Sequence, residues 1–502
     1  MKNTIKFMIG LLAIGLVSCE PEFENAVTDE GFYDAGDADF SNYVSLGASI
    51  TAGTADGTIY MSAQENSYPS IIAQQFGFVG GGDFTQPLTS DNLGGLLLNG
   101  EPLPGYGTRL VLSADENGNP FPTPLDGTPT TDVTTSATGP FNNMGVPGAK
   151  SFHLVTPGYG SVAGVANGTA NPWFARFATS ESTTVLADAV SLNPTFFSLW
   201  IGNNDILGYA TSGGSGVDQT GNFDPSTYGG NDITDPNVFA AAYSAQVDAL
   251  VANGAKGVLL NIPDVTSIPY FTTVPTRSIP LDAATAGAVN AQFALYNGAL
   301  GQLVAGGFIS AEEAAIRAIN FIEGVNYPIM TDDDLTDVTA ILIGAGLDPQ
   351  TAALLGQLRQ VKSDDIVILP ASSVLGTTPD PSNPTGVVGV SIPLQDVFVL
   401  TSTEKARVDT AAQSFNAIIE GLAAANDLGY VDARAVLAEV ASTGFAFNGG
   451  VMTNAYVTGG CFSLDGVHLT PRGNALCANS IIDVINTTYN ASIPKVDIGT
   501  YG

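Results

Sequence analysis

Four short apolar runs, each followed at once by small or polar residues, constrain the fold of this chain more than any other feature: Tyr43–Leu46, Phe196–Ile201, Gly257–Asn261 and Tyr430-Val431. A weaker fifth run lies near Met144–Val146. Between them, apolar residues recur at helical spacing, as in Phe239–Asn253 and Thr403–Asn426. Strands that are apolar on both faces and alternate with helices predict a parallel sheet of about five strands, covered on each side. Ligands of such sheets bind beyond the carboxyl ends of the strands, so the residues just after each run are the ones to read for chemistry.

Two segments break the rhythm. Residues 80–140 are dense in Gly, Pro, Thr and Asn and predict long loops above the sheet. Residues 275–395 carry helical patterns over Ala283–Val304, Ala311–Ile319, Leu335–Gly344 and Pro349–Leu358, and predict an inserted helical subdomain or lid. The sheet domain is therefore expected over residues 43–274 and 396–490.

The amino terminus has a basic start (Lys2, Lys6), an apolar run from Phe7 to Val17, and then Ser18-Cys19. That layout predicts an export signal over residues 1–18. Leu16-Val17-Ser18-Cys19 resembles a bacterial lipobox, which implies lipid attachment at Cys19, with residues 19–42 as a tether. The expected location is the bacterial cell envelope, most simply the outer membrane. With 15 Lys+Arg against 48 Asp+Glu, the formal charge of −33 argues against a nucleic-acid partner.

Three constellations carry chemistry. After the first run comes Gly47-Ala48-Ser49-Ile50, a hydroxyl between small residues at a strand-to-helix turn. Read alone, Ser49 is either a helix cap or a nucleophile beside backbone N–H groups that favour negative charge. The Phe196–Ile201 run ends in Gly202-Asn203-Asn204-Asp205, which places an amide at the ligand edge or closes the strand in an Asx turn. Asp465-Gly466-Val467-His468 sets an acid three residues before a histidine, so the carboxylate can hold one ring nitrogen and leave the other as base. The chain has only 2 histidines. The other, His153, has no acid close by in sequence and reads as a structural or substrate-lining residue.

Together these blocks resemble the SGNH (GDSL-type) hydrolase family. Gly47-Ala48-Ser49-Ile50, Gly202-Asn203-Asn204-Asp205 and Asp465-Gly466-Val467-His468 stand in the family's order, and Asn143-Met144-Gly145-Val146-Pro147-Gly148 is similar to its remaining block. Ala48 replaces the aspartate of the Gly-Asp-Ser-Leu form. The resemblance implies a flavodoxin-like three-layer sandwich and a catalytic set of Ser49, Asp465 and His468. It also implies an oxyanion hole made by the N–H groups of Ser49 and Gly148 and the Asn204 amide, with Gly145 as the competing glycine.

The activity implied is hydrolysis of lipid or short-chain carboxylic esters through an acyl-enzyme, with no metal and no cofactor. Carbohydrate acetyl esters are the alternative substrates; Tyr60, Tyr68, Trp173 and Tyr209 are the aromatics available to meet a sugar. A non-catalytic surface binding lipoprotein is the alternative of another class. Cys461 and Cys477 bracket the Asp465–His468 loop, and export to an oxidising compartment predicts a disulfide between them.

Overall fold

The structure, a computed structural model, describes residues 32–115 and 118–502; the expected signal, Cys19 and most of the expected tether lie outside the described residues. The five apolar runs form five strands, β1 Tyr43–Gly47, β2 Asn143–Gly145, β3 Phe196–Trp200, β4 Lys256–Leu260 and β5 Gly429–Val431. They make one sheet in the order β2-β1-β3-β4-β5 with every pairing parallel. The weak run near Met144 is a true strand and takes one edge.

Eight helices frame the account: α1 Ser49–Ala52, α2 Tyr68–Phe76, α3 Asn204–Thr211, α4 Pro236–Val251, α5 Ala283–Ala305, α6 Ser402–Ala425, α7 Ala433–Ser442 and α8 Pro471–Thr488. Helices α2 and α8 pack together on one face of the sheet, and α4 and α6 on the other. Their starts are written in the sequence. Asp235 caps α4 ahead of Pro236, Thr401 and Glu404 form a reciprocal capping box on α6, and Thr470 caps α8 ahead of Pro471. The sheet and these helices enclose one apolar core that includes Val44, Leu46, Phe197, Leu199, Val258 and Ile481, each fully buried.

Three expectations need correction. The tether does not run to residue 42: Phe40 is buried in the core and stacks on Phe76 at 4.2 Å, and the Asp37 N–H donates to the Tyr489 carbonyl. An aromatic with a core slot to fill outweighs the acidic, tether-like composition around it. The sheet domain likewise continues past residue 490, because Ile493 and Ile498 are buried in the same core.

Segment 275–395 is mixed, not purely helical. It has α5 and three shorter helices, but also the antiparallel pairs Ile279–Leu281 with Gly324–Asn326 and Ile329–Thr331 with Leu358–Gln360. It builds its own apolar cluster, including Val289, Phe293, Ile329 and Leu358. The 80–140 segment is mostly loop, as expected, with two hairpins, Leu97–Leu98 with Glu101–Pro102 and Leu110–Ala114 with Pro120–Pro124. Among the described residues no helix is long and apolar enough to cross a membrane.

Candidate active site

The parallel register brings three strand ends level. Gly47 pairs with Gly145 on one side and Trp200 on the other, so the turns leading to Ser49, Gly148 and Asn204 leave the sheet at the same edge. Ser49 opens α1, and a first-turn N–H has no partner inside its own helix. It is thus placed both to project a hydroxyl and to offer an oxyanion donor.

Gly145 and Gly148 take different parts. Gly145 lies in β2 against α1, where a Cβ would overlap the Ala52 backbone, and its N–H already donates to Asn143 Oδ1 at 3.0 Å. Gly148 holds a left-handed φ of 76° with open space where a Cβ would be, and its N–H has no partner among the described residues. The competition between the two glycines therefore falls to Gly148. Asn204 is tied to that turn, its Nδ2 donating one hydrogen to the Ala149 carbonyl at 2.9 Å and keeping a second to give.

Asp465 and His468 meet as the i, i+3 spacing predicts. The ring Nδ1 lies 2.7 Å from Asp465 Oδ2, while Asp465 Oδ1 accepts from the N–H groups of His468 and Val467 and from the Ser463 hydroxyl. Burial alone would raise this carboxyl. The facing His468 ring and these donors more than offset it and hold Asp465 well below the usual carboxylate range. An ionised Asp465 requires Nδ1 to be the donor, which leaves Nε2 as the free basic nitrogen.

Ser49 and His468 line one cavity beside Asn203, Asn204 and Trp200. Among the described residues the serine hydroxyl makes no hydrogen bond to the ring; bonds of this kind tighten when a substrate draws the groups together. The walls of the cavity include Val436, Val440, Leu476 and Cys477 from α7 and α8. No residue of 275–395 is among those that line it. That segment meets the Asp465–His468 loop at Leu369, which packs close to Gly466.

Two supports have no signal in the local sequence. The tight turn at Asp56-Gly57 docks onto the Asp465–His468 loop: Gly57 N–H donates to Asp465 Oδ2 at 2.8 Å, Asp56 N–H to the Ser463 hydroxyl at 3.0 Å, and Leu464 N–H to Asp56 Oδ1 at 3.0 Å. On the other side, fully buried Asp205 accepts from the Ser151 N–H and hydroxyl at 2.8 and 2.7 Å, locking the Gly148 turn to the start of α3.

His153 is structural. Its Nδ1 accepts the Lys150 N–H at 3.0 Å, its ring stacks on Tyr159 at 4.5 Å, and burial together with Lys150 lowers its pKa to about 4.

The expected disulfide is not formed: Cys461 and Cys477 are separate thiols, both at the cavity wall. Apolar surroundings push the Cys461 thiol up to about 12 and raise Cys477 as well, which suppresses the thiolate that disulfide formation needs. Tyr60, Tyr68, Trp173 and Tyr209 are all buried, and none lines the cavity. No family model, no curated protein and no solved structure matches the chain.

Proposed function

We propose that the chain is a serine-dependent carboxylic-ester hydrolase of the SGNH type, on a flavodoxin-like sandwich, acting on lipid or short-chain acyl esters. The observation that carries the reading is the Asp465–His468 pair, its Nε2 free, on the same cavity as Ser49. The strand order β2-β1-β3-β4-β5 supports the flavodoxin-like description. No Gly-x-Gly-x-x-Gly follows β1, which counts against a nucleotide carrier.

In this mechanism Ser49 Oγ attacks the ester carbonyl carbon while His468 Nε2 takes the hydroxyl proton. The oxyanion is held by the N–H groups of Ser49 and Gly148 and by Asn204 Nδ2. The acyl–oxygen bond then breaks, His468 returns the proton to the leaving alcohol, and water releases the acid by the same steps. The apolar cavity wall favours acyl-chain esters over acetylated glycans, because the aromatics that might have met a sugar are committed to the core. Attachment through Cys19 would hold the enzyme at the envelope membrane.

Hydrolysis of nitrophenyl esters of graded acyl length, alongside acetylated xylan, tests the proposal in wild type and Ser49→Ala. The expected result is a chain-length optimum above acetyl, with loss of turnover by about 10³-fold or more in the variant. Equal activity of the two proteins would sink the assignment, and a non-catalytic binding lipoprotein would then be the better reading.

A further inference from the structure

The chain enters the Asp465–His468 loop through residues 453–464, and a backbone outlier stands on that approach. Thr458 N–H donates to the Tyr456 carbonyl at 2.7 Å, which closes a three-residue turn on Val457 at a φ of 63°. A turn of this hand is rare and strained, and a β-branched side chain suits it least. The other non-glycine residues with positive φ among the described residues are all Asp or Asn, which tolerate it. Val457 is held there from outside. Gly459 N–H donates to the Ala455 carbonyl at 2.8 Å, Thr453 N–H to the Gly459 carbonyl at 2.8 Å, and Asn454 Nδ2 to the Ser267 carbonyl beyond β4 at 2.8 Å. Strain of this kind persists only where the surroundings over-determine it, and it gathers at working sites.

What the turn presents is Tyr456. Its hydroxyl donates to the Leu464 carbonyl at 2.6 Å, while Leu464 N–H donates to Asp56 Oδ1 at 3.0 Å. Leu464 immediately precedes Asp465 and is thus gripped by both of its backbone groups. Its N–H belongs to the peptide plane before it and its carbonyl to the plane after it, so the two bonds fix both planes and with them the direction in which Asp465 leaves the chain. Asp56 is itself held, since its Oδ2 accepts the Tyr60 hydroxyl at 2.7 Å and the Arg109 guanidinium lies 5.1 Å over the Tyr60 ring. Burial, with the neighbouring Asp465 and Asp56, raises the Tyr456 pKa and keeps its proton on the hydroxyl that donates. Neither Tyr456 nor Leu464 is among the residues that line the cavity.

We propose that Tyr456 is a positioning residue: with Asp56 it clamps Leu464 from both sides and so sets how Asp465 meets His468 Nδ1, while the strained Val457 turn keeps the Tyr456 hydroxyl in place. Its consequence for turnover rests on the ester-hydrolase reading; its consequence for the geometry of the Asp465–His468 pair does not. The rival account is a bond that only stabilises the loop. Tyr296 supplies the matched comparison, because its hydroxyl also donates to a backbone carbonyl, that of Leu358 at 2.8 Å, inside segment 275–395.

The full chain, isotopically labelled at its histidine nitrogens, is followed by proton NMR alongside ester kinetics and thermal unfolding. With only 2 histidines, and with His153 Nδ1 an acceptor, a hydrogen-bonded Nδ1–H resonance belongs to His468. Tyr456→Phe keeps the ring and removes the hydroxyl. It should move that resonance upfield and lower kcat on the best nitrophenyl ester by about tenfold or more, with KM within about twofold of wild type. Tyr296→Phe should lower Tm at least as much and leave both the resonance and kcat as they are. Val457→Gly relaxes the strained φ, so Tm should not fall, yet the resonance should move and kcat should drop severalfold.

A resonance unmoved by Tyr456→Phe, or one that moves while kcat in an active enzyme does not change, would overturn the proposal. The same resonance shift in Tyr296→Phe would overturn it too. A shift specific to Tyr456→Phe in a protein that hydrolyses no ester would uphold the clamp and sink the hydrolase reading instead. Val457→Gly carries the test through the same resonance if Tyr456→Phe fails to fold.

Discussion

The two histidine loops of this molecule sit on either side of the candidate site and use the same side chain in opposite senses. In the turn that presents Gly148, His153 Nδ1 accepts a backbone N–H, and the ring is stacked, desolvated and depressed to a pKa of about 4. In the loop 461–470, His468 Nδ1 faces an ionised carboxylate and so must donate, which leaves Nε2 basic at the cavity. The difference lies in the surroundings, not in the imidazole: burial and the neighbouring Lys150 depress His153, whereas His468 faces a carboxylate. An N–H at Nδ1 makes that nitrogen the acceptor; a carboxylate makes it the donor and leaves Nε2 to accept.

Turning the second loop into something like the first should have the largest effect. Asp465→Asn keeps the shape but offers the ring an amide, which allows the wrong tautomer, and kcat on the best nitrophenyl ester should fall by about 10³–10⁴-fold with a much smaller change in KM. A fall of less than tenfold would remove Asp465 from the mechanism. The next contrast lies on the His153 side, where the Gly148 turn and Asn204 are the proposed oxyanion donors. Asn204→Ala should lower kcat by about 10²–10³-fold, whereas Asn203→Ala, one residue earlier on the same cavity, should cost far less. Comparable losses in the two would mean that the wrong amide has been assigned.

The smallest effect belongs to His153 itself. With a folded pKa of about 4 against an ordinary value of 6.5, the ring's contribution to stability is whole above pH 6.5 and is lost as pH falls towards 4, where the unfolded chain takes up a proton that the folded chain refuses. His153→Asn should therefore lessen the acid-side fall of Tm, at a cost of about 1–2 kcal/mol at neutral pH, while kcat stays within about tenfold of wild type. Chemical denaturation at pH 5 and pH 7 reads this directly. A His153 variant as inactive as a His468 variant would erase the distinction between the loops.

How far each loop was legible in the sequence follows from how local its contacts are. The strands could be read because helices on both faces make them apolar throughout, and the Asp465–His468 pair because three residues span the whole contact. The resemblance already named Gly148, but the reason to prefer it lies in the packing, where Gly145 is pressed against α1 and has spent its N–H. The Asp56-Gly57 support was invisible for a plainer reason: 408 residues separate Gly57 from the carboxylate it holds. Phe40 misled because composition around it is tether-like while its own side chain fills the core. Residues 332–334 look like a solvated acidic run until the chain returns with Asp396 beside them.

The claim at the centre of this account is that Ser49 is the residue on which His468 acts. Incubating the protein with a fluorophosphonate bearing an alkyl chain, followed by peptide mapping by mass spectrometry, tests it most directly. The account predicts a single phosphonyl adduct on the peptide containing Ser49, greatly slowed in His468→Asn. An adduct on another residue, or labelling of Ser49 at an undiminished rate without His468, would contradict it.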